Sequence, residues 1–396
     1  MEIKNKVIIW GPDSFNTLGL IRQLGSKELD LLFLIKGRKS TAAKSKYCPK
    51  CVETQTIEDG YNYLMENYSN QDDKPILLTS SDAIMTFIDR HKEDFERSFI
   101  TPGTTVKGDT EKYIDKNAMT ALANEIGILC PESIAINKGS DIGDIKYPCF
   151  IKPSHEKPGH YNEFKFKLCK NKRALKRTLR CVRPDSQFIL QRYIQKESDL
   201  LVYGARMWDG NTVIAGAFIR DRLTCDGSSS HGLFTNEVPA SADTSKICEF
   251  LERIDYHGIF SFEYGLIGDK AYFFEVNLRN DGTSHYFYQA GANIPLAYVY
   301  SSAGLDYSEI PTKIKGENWY IDELYDVENV LSRRVSIRKW KQQKAEATIF
   351  RFYDENDIEP YRAEKKRRTK RIIEDLILRR FRMYIVFVLD KLGFRK

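Results

Sequence analysis

The sequence predicts an α/β protein in which an N-terminal doubly wound parallel sheet is followed by an α+β region. Three observations support this prediction. Short apolar runs alternate with segments of helical spacing over residues 1–110, which is the pattern of a parallel sheet with crossover helices. Two hairpin patterns follow after residue 200. The 396 residues, 42% hydrophobic and 29% charged, suffice for two or three domains with their own cores.

The first domain is predicted over residues 1–110. Its strands are the apolar runs Lys6–Trp10, Leu31–Ile35 and Ile76–Thr79. Because ligands of such sheets lie at the carboxyl ends of the strands, Gly11 and the Ser80–Asp82 turn are candidate substrate contacts, although ordinary strand-to-helix turns explain them as well. No G-x-G-x-x-G follows the first strand, which argues against an NAD-dependent oxidoreductase.

A β-hairpin with two acids is predicted in the second half of the chain. The runs Ile259–Leu266 and Ala271–Val276 flank a turn at residues 267–270. Glu263 and Glu275 each lie between apolar neighbours, where a carboxylate is costly to bury unless it is paired or bound to a metal. Directly opposed strands would bring the two acids together, and the pair would then need a cation.

The hairpin predicts a set of oxygen ligands. Asn277 lies two residues after Glu275 and therefore on the same face. Together with Glu263 these residues suit Mg²⁺, with Mn²⁺ as an alternative, because hard cations take oxygen ligands and share them with substrate phosphates. Arg279, two residues further on, suits a phosphate or carboxylate. An ordinary surface hairpin with solvated acids is the alternative that this pattern leaves open.

Further along the same strand, the segment FEVNLRNDG (Phe274–Gly282) resembles the final metal-binding strand of ATP-grasp ligases, and other parts of that family occur in the expected order. Lys116 precedes a helical segment that ends in the turn Gly127–Pro131. Lys152 stands in the run Tyr147–Pro153, which resembles the P-x-x-x-K-P strand of the family. The nearest branches are the D-aspartate ligases and the enzymes similar to carbamoyl-phosphate synthase.

The resemblance covers residues 6–305 and implies an ATP-grasp domain over 111–310, with a small lid subdomain at about 140–200. The loop 154–164 would close over the phosphates, although it holds one glycine where the family has several. The residues implied in nucleotide binding are Lys116, Lys152, Gln191, Tyr193, Ile194, Glu197 and Asp199. The implied metal ligands are Glu263, Glu275 and Asn277, and the arginines implied near the transferred phosphate are Arg220, Arg222 and Arg279.

The activity that the resemblance implies is ATP-dependent joining of a carboxylate to an amine. The carboxylate would attack the γ-phosphoryl group of ATP, and the amine would attack the resulting acylphosphate, with ADP and phosphate released. The expected partners are therefore small-molecule carboxylates and amines. Because the phosphate loop holds few glycines, the alternative is a nucleotide-binding regulatory or scaffold protein without ligase turnover, either free or at a membrane surface.

Residues 311–396 are predicted to form a basic, helical C-terminal extension. Lys or Arg occupies seven of the ten positions from Arg362 to Arg371, and apolar residues follow. Peripheral membrane contact through 362–392 and docking on the body are both left open. Nucleic-acid binding is not expected because no aromatic residues are interleaved with the basic ones.

The remaining features predict a cytoplasmic protein, with the inner membrane face as the location if the extension binds lipid. The eight cysteines are scattered, and the sequence shows neither a signal peptide nor an apolar run of membrane-spanning length. Cys48 and Cys51 form a lone C-x-x-C that is predicted to be an ordinary loop, because no second pair of metal ligands accompanies it. The oligomeric state is left open.

Overall fold

The computed structural model describes residues 3–374, except 38–40, 49, 140, 154–163, 165, 183–186, 225–226 and 372. The strands, numbered in chain order, are β1 (Val7–Pro12), β2 (Leu31–Lys36), β3 (Cys51–Thr54), β4 (Ile76–Thr79), β5 (Gly103–Thr104), β6 (Ser133–Asn137), β7 (Cys149–Pro153), β8 (Lys167–Cys169), β9 (Gln187–Arg192), β10 (Ser198–Arg206), β11 (Thr212–Leu223), β12 (Ser229–Thr235), β13 (Tyr256–Ile267), β14 (Lys270–Asn277), β15 (Glu317–Ile321) and β16 (Ile349–Phe350).

The helices are α1 (Phe15–Gly25), α2 (Ile57–Tyr68), α3 (Asp82–Arg90), α4 (Lys92–Ser98), α5 (Asp109–Ile114), α6 (Lys116–Glu125), α7 (Lys172–Arg180), α8 (Thr244–Arg253), α9 (Ser284–Gln289), α10 (Ile294–Ser302), α11 (Val327–Leu331) and α12 (Ile337–Glu346). A last helix, called the C-terminal helix below, begins at Ile358 and is described to Glu374, except for residue 372.

The N-terminal sheet is parallel, with the strand order β3-β2-β1-β4. Successive residues of its strands face opposite cores, because side chains alternate along a strand. Ile9 and Phe33 belong to one core, and Trp10 and Leu34 belong to the other. The predicted doubly wound sheet is confirmed. The prediction that the C-x-x-C forms a loop is wrong in part. Cys51 is the first residue of β3, which pairs with β2 in the sheet.

The central sheet has the order β14-β13-β10-β11-β12-β15-β16, and β5 pairs with β13. Both predicted hairpins are present, one formed by β10 and β11 and the other by β13 and β14. Gly268 occupies the turn of the second hairpin with a φ of +55°, a conformation that favours glycine. One face of the sheet packs against α9 and α10, and the other face packs against α6 and α8.

A third sheet, called the lid below, has the order β6-β9-β7-β8 and is antiparallel. It has its own apolar core with α7, which includes Ile136, Ile151, Leu175 and Leu190. Three of its strands and α7 lie within the range of about 140–200 predicted for the small subdomain, whereas β6 precedes that range. The domain boundaries near residues 110 and 310 stay predictions.

The C-terminal extension differs from the prediction because it contributes strands as well as helices. β15 pairs with β12 and β16 pairs with β15, so the extension continues the central sheet where β12 would otherwise be an exposed edge. The C-terminal helix docks on the body through Arg368, which contacts Glu328, and through buried Glu364, which accepts a hydrogen bond from Tyr325 at 2.5 Å. Membrane contact through 362–392 stays a prediction, and residues 375–396 lie outside the described part. Among the described helices, none combines the length and apolarity needed to cross a bilayer.

Candidate functional site

Two carboxylates lie opposite each other at the centre of the site. Glu263 on β13 and Glu275 on β14 are cross-strand partners, so their side chains leave the same face of the sheet. The exposed fraction of the side chain is 22% for Glu263 and 37% for Glu275. Two acids in this arrangement repel each other unless cations lie beside them, and the structure supplies cations from three different elements.

Arg220 on β11 is the cation that contacts Glu263. Its Nη2 donates to Oε2 of Glu263 at 2.8 Å and lies 3.7 Å from Oδ1 of Asp199. These residues meet because β10, which carries Asp199, lies between β11 and β13. Burial by itself would raise the pKa of Glu263, but the charge and hydrogen bond of Arg220, with the charges of Arg279 and Lys196, outweigh burial and hold that pKa below its ordinary value.

Asn277 and Arg279 continue the cluster beyond the two acids. Nδ2 of Asn277 donates to Oγ of Ser261 at 3.1 Å and to Oε1 of Glu263 at 3.4 Å. Oδ1 of Asn277 accepts a hydrogen bond from Nη2 of Arg279 at 3.0 Å. The three predicted metal ligands therefore share one face, and their oxygens contact one another or neighbouring cations.

Arg279 joins this cluster to the N-terminal sheet. Its Nε and Nη2 donate to the two carboxylate oxygens of Asp82 at 2.8 and 3.0 Å. Asp82 begins α3, at the carboxyl end of β4. Burial opposes the charge of Arg279, but Asp82, together with the charges of Asp281 and Glu275, outweighs burial and raises the pKa of Arg279 above its ordinary value. The predicted Ser80–Asp82 turn is thus joined to the carboxylate cluster through Asp82.

Two lysines approach Glu275 from different elements. Lys116, the first residue of α6, lies 3.6 Å from Oε2 of Glu275. Lys152 on the lid donates from Nζ to Oε1 of Gln191 at 2.7 Å. Burial and the charge of Lys116 lower the pKa of Lys152 to about 8, and the charge of Glu275 offsets part of this effect. Lys152 is therefore a partly desolvated cation that interacts with both partners of the Lys116–Glu275 pair.

Phe274 and Lys196 also belong to the site, although the sequence did not point to them. The ring of Phe274 has Nζ of Lys196 at 5.3 Å and Nζ of Lys152 at 5.9 Å from its centroid, distances at which a cation and an aromatic ring attract each other. Lys196 also contacts Asp199. Regular alternation would place Phe274 on the face opposite Glu275. A register shift in the pairing of β13 with β14 breaks this alternation.

The structure does not bring Arg222 to the cluster, and this corrects its predicted place. Its guanidinium donates to both oxygens of Asp326 at 2.7 and 2.8 Å and to Oε1 of Gln343 at 3.0 Å. Arg222 follows Arg220 by two positions and would share its face in a regular strand. The pairing of β11 with β12 shifts register between these two arginines, so they point to different partners.

The residues predicted to bind adenine lie at and after the end of β9 in the lid, and the ribose candidates Glu197 and Asp199 lie at the start of β10 in the central sheet. Tyr193 packs edge-on against Phe150, with ring centroids 5.3 Å apart, and Ile194 is half-buried beside it. Glu197 is exposed, and its backbone N–H donates to the carbonyl of Leu266 at 2.9 Å. The predicted phosphate loop, 154–164, lies outside the described residues except for Phe164. The adenine and ribose assignments stay predictions.

The donor set fits a divalent cation that is also held by phosphate oxygens. Glu263, Glu275 and Asn277 offer hard oxygen ligands from one strand pair, as Mg²⁺ prefers. Across the described residues, no group of three or more His, Cys, Asp and Glu side chains is arranged to hold a metal ion. Further ligands must therefore come from elsewhere, and the surrounding cations Arg220, Lys116 and Lys152 are suited to anionic groups.

Comparison with known proteins identifies the architecture. No family model and no curated protein sequence matches the chain. Solved structures do match it. The L-amino acid ligase from Bacillus licheniformis has a TM-score of 0.63 at 13% identity and covers 80% of each chain. The N5-carboxyaminoimidazole synthetase from Staphylococcus aureus complexed with ADP has a TM-score of 0.64 at 12% identity and covers 86% of this chain and 87% of that one.

A third match is the biotin carboxylase domain of the 2-oxoglutarate carboxylase from Hydrogenobacter thermophilus, in complex with MgADP, ADP and bicarbonate. It has a TM-score of 0.62 at 13% identity and covers 80% of this chain and 74% of that one. At these identities the likeness establishes the fold. This chain and the three solved structures therefore share one fold over most of their lengths.

Proposed function

We propose that this chain, which has the ATP-grasp fold, is an ATP-dependent ligase that activates a carboxylate as an acylphosphate and joins it to an amine. The observation that supports this proposal most directly is the opposition of Glu263 and Glu275 beside Arg220, Lys116 and Lys152. Structures of similar fold include an L-amino acid ligase and complexes with ADP or MgADP, which supports ATP as the co-substrate.

In this proposal the named residues divide the work of charge stabilisation. Lys116 and Lys152 bind the ATP phosphates, and Arg220 and Arg279 stabilise the charge that develops during phosphoryl transfer. Glu263, Glu275 and Asn277 hold Mg²⁺, or Mn²⁺, which neutralises charge on phosphate oxygens when bound. No side chain serves as a covalent nucleophile, because the carboxylate substrate attacks the γ-phosphoryl group itself.

The test is phosphate release from ATP by the full-length protein with Mg²⁺. Panels of amino acids as carboxylate donors are combined with panels of amines, and mass spectrometry follows the products. We expect ADP, phosphate and a new amide from a matching pair. Tight binding of ATP without turnover by any pair would favour the nucleotide-binding regulatory protein. No detectable binding of ATP or ADP would contradict both functions.

A pH dependence follows from the position of Lys152. The pKa of Lys152 is lowered to about 8, so this side chain is mostly uncharged at higher pH. Because a bound phosphate favours the charged form, Lys152 must take up a proton when MgADP binds at higher pH. Each pH unit above that pKa makes the free energy of MgADP binding less favourable by about 1.4 kcal/mol. The Kd of MgADP, measured by calorimetry, is expected to rise about tenfold from about pH 7.5 to about pH 9.

The variants K152M and K146M test the source of this dependence. Lys146 is an exposed lysine of the same region, so K146M should keep the tenfold change. K152M should bind MgADP more weakly at about pH 7.5 and show a flat profile, because the titrating group is gone. An unchanged slope in K152M would show that another group titrates and would remove Lys152 from the phosphate site.

A further inference from the structure

The turn after β14 buries two acceptor oxygens that no described donor satisfies. They are Oδ2 of Asp281 and Oδ1 of Asn280, and the two residues are 6% and 2% exposed. A buried polar atom without a partner costs about 1–3 kcal/mol, and more if it is charged. Such atoms are uncommon in folded proteins and call for a specific explanation.

The local hydrogen bonds hold both side chains in place. Nδ2 of Asn280 donates to Oδ1 of Asn16 at 2.7 Å and to the carbonyl of Asp281 at 3.1 Å, so its amide cannot be reversed without losing both bonds. Oδ1 of Asp281 accepts from the N–H and from the hydroxyl of Thr283, both at 2.6 Å. One oxygen of Asp281 therefore maintains the turn, and the other is left over.

Asp281 lies close to the centre of the proposed reaction. Burial opposes the charge of Arg220 and of Arg279, but acids outweigh burial, and Asp281 is among the acids that raise the pKa of both. Each arginine is nevertheless directed to a different acid, Arg220 to Glu263 and Arg279 to Asp82. The second oxygen of Asp281 is thus near the site without being neutralised by a direct ion pair to either arginine.

The same turn faces the edge of the N-terminal sheet. Nδ2 of Asn16 donates to the carbonyl of Asn280 at 3.1 Å and to the carbonyl of Ser80 at 3.4 Å. Ser80 follows β4, and Asn16 lies in the first turn of α1. The carboxyl ends of parallel strands are where α/β sheets bind ligands. Asp281 therefore lies between this edge and the carboxylate cluster.

We propose, on the premise of the ligase function above, that Asp281 binds the ammonium group of the amine substrate through Oδ2 and takes a proton from it. A primary ammonium supplies both the donors and the positive charge that a buried carboxylate requires. Oδ1 of Asn280 is a second acceptor for the same group. The acceptor is accordingly a primary alkylamine that is cationic in solution.

The ammonium loses one proton to Asp281, and the lone pair that is freed forms the C–N bond at the acyl carbon. The bond from that carbon to the phosphate oxygen breaks, and phosphate leaves with the electron pair. The second proton lost from nitrogen leaves with the phosphate. General-base assistance of this kind contributes about a hundredfold to ten-thousandfold in rate.

The test compares two nucleophiles in two variants. D281N keeps an oxygen for Thr283 but loses the charge and the acceptor at Oδ2. T283V removes the hydroxyl bond to Asp281 and keeps the carboxylate. Hydroxylamine, which is mostly uncharged near neutral pH, traps the acylphosphate as a hydroxamate. D281N should form hydroxamate within about threefold of wild type, while amide formation with the amines of the screen falls at least about a hundredfold.

The outcomes separate this role from a structural one and from the ligase function itself. T283V should retain both reactions, so an equal loss of amide formation in T283V would show that the turn, and not the carboxylate, matters. Loss of hydroxamate along with the amide in D281N, or full amide formation in D281N, would overturn the role of Asp281. Should wild type form neither hydroxamate nor ADP with any acid, the ligase function would fail first.

Discussion

Replacing Glu275 by Gln is expected to abolish ligase turnover while leaving the fold intact. The side chain is 37% exposed, and its ion pair is with Lys116 at 3.6 Å, so its loss should change the free energy of unfolding by at most about 1 kcal/mol. A metal ligand acts on charge that develops in the transition state. We therefore expect ATP-dependent product formation to fall at least about a hundredfold.

The metal role of Glu275 also has a readout that does not depend on activity. Electron paramagnetic resonance measures the binding of Mn²⁺ in the presence of ADP. We expect E275Q to bind Mn²⁺ more weakly than the wild type does. The matched control is E93Q, since Glu93 forms a surface pair with Lys107 at 2.6 Å and its side chain is 66% exposed. E93Q should behave as wild type in both measurements. Normal turnover and normal Mn²⁺ binding in E275Q would refute the proposed ligand set.

Replacing Asp357 by Ala is expected to lower the free energy of unfolding strongly. Oδ2 of Asp357 accepts from Nε of Arg22 at 2.9 Å, and both side chains are 1% exposed. Asp357 also accepts from the hydroxyl of Ser45 at 2.7 Å and from the N–H of Lys46 at 2.9 Å. D357A leaves the buried guanidinium with only the more distant and partly exposed carboxylate of Asp354, 3.8 Å from Nε, and breaking a buried ion pair in this way costs about 3–5 kcal/mol.

Urea unfolding followed by fluorescence measures this loss. The control is E359A, because Glu359 pairs with Arg362 at 2.6 Å with side chains that are 61% and 67% exposed, and the expected change is within about 0.5 kcal/mol. The double variant R22M/D357L should recover part of the loss, since no buried charge then lacks a partner. A loss in D357A no larger than in E359A would show that the extension is not anchored to the first domain through this pair.

The elements that the sequence predicts well are those encoded by neighbouring residues. The runs at residues 6–10, 31–35 and 76–79 are each apolar and are followed by turn residues, so the parallel sheet could be predicted without knowing what packs against it. The alternation of residues likewise predicts that Glu263 and Glu275 stand on the two strands of one hairpin. Their direct opposition depends on the register shift next to Glu263, because regular pairing from the turn would place Glu263 opposite Phe274.

The sequence by itself therefore determined the fold class, the hairpin and the chemical type of the cluster. Only the tertiary structure decided that Arg220 reaches Glu263 while Arg222 turns to Asp326, and that Asp82 holds Arg279. It also decided that residues 317–350 extend the central sheet. Strand register shifts and pairs between residues more than a hundred positions apart depend on how whole segments pack. Such packing cannot be predicted from the pattern of neighbouring residue types.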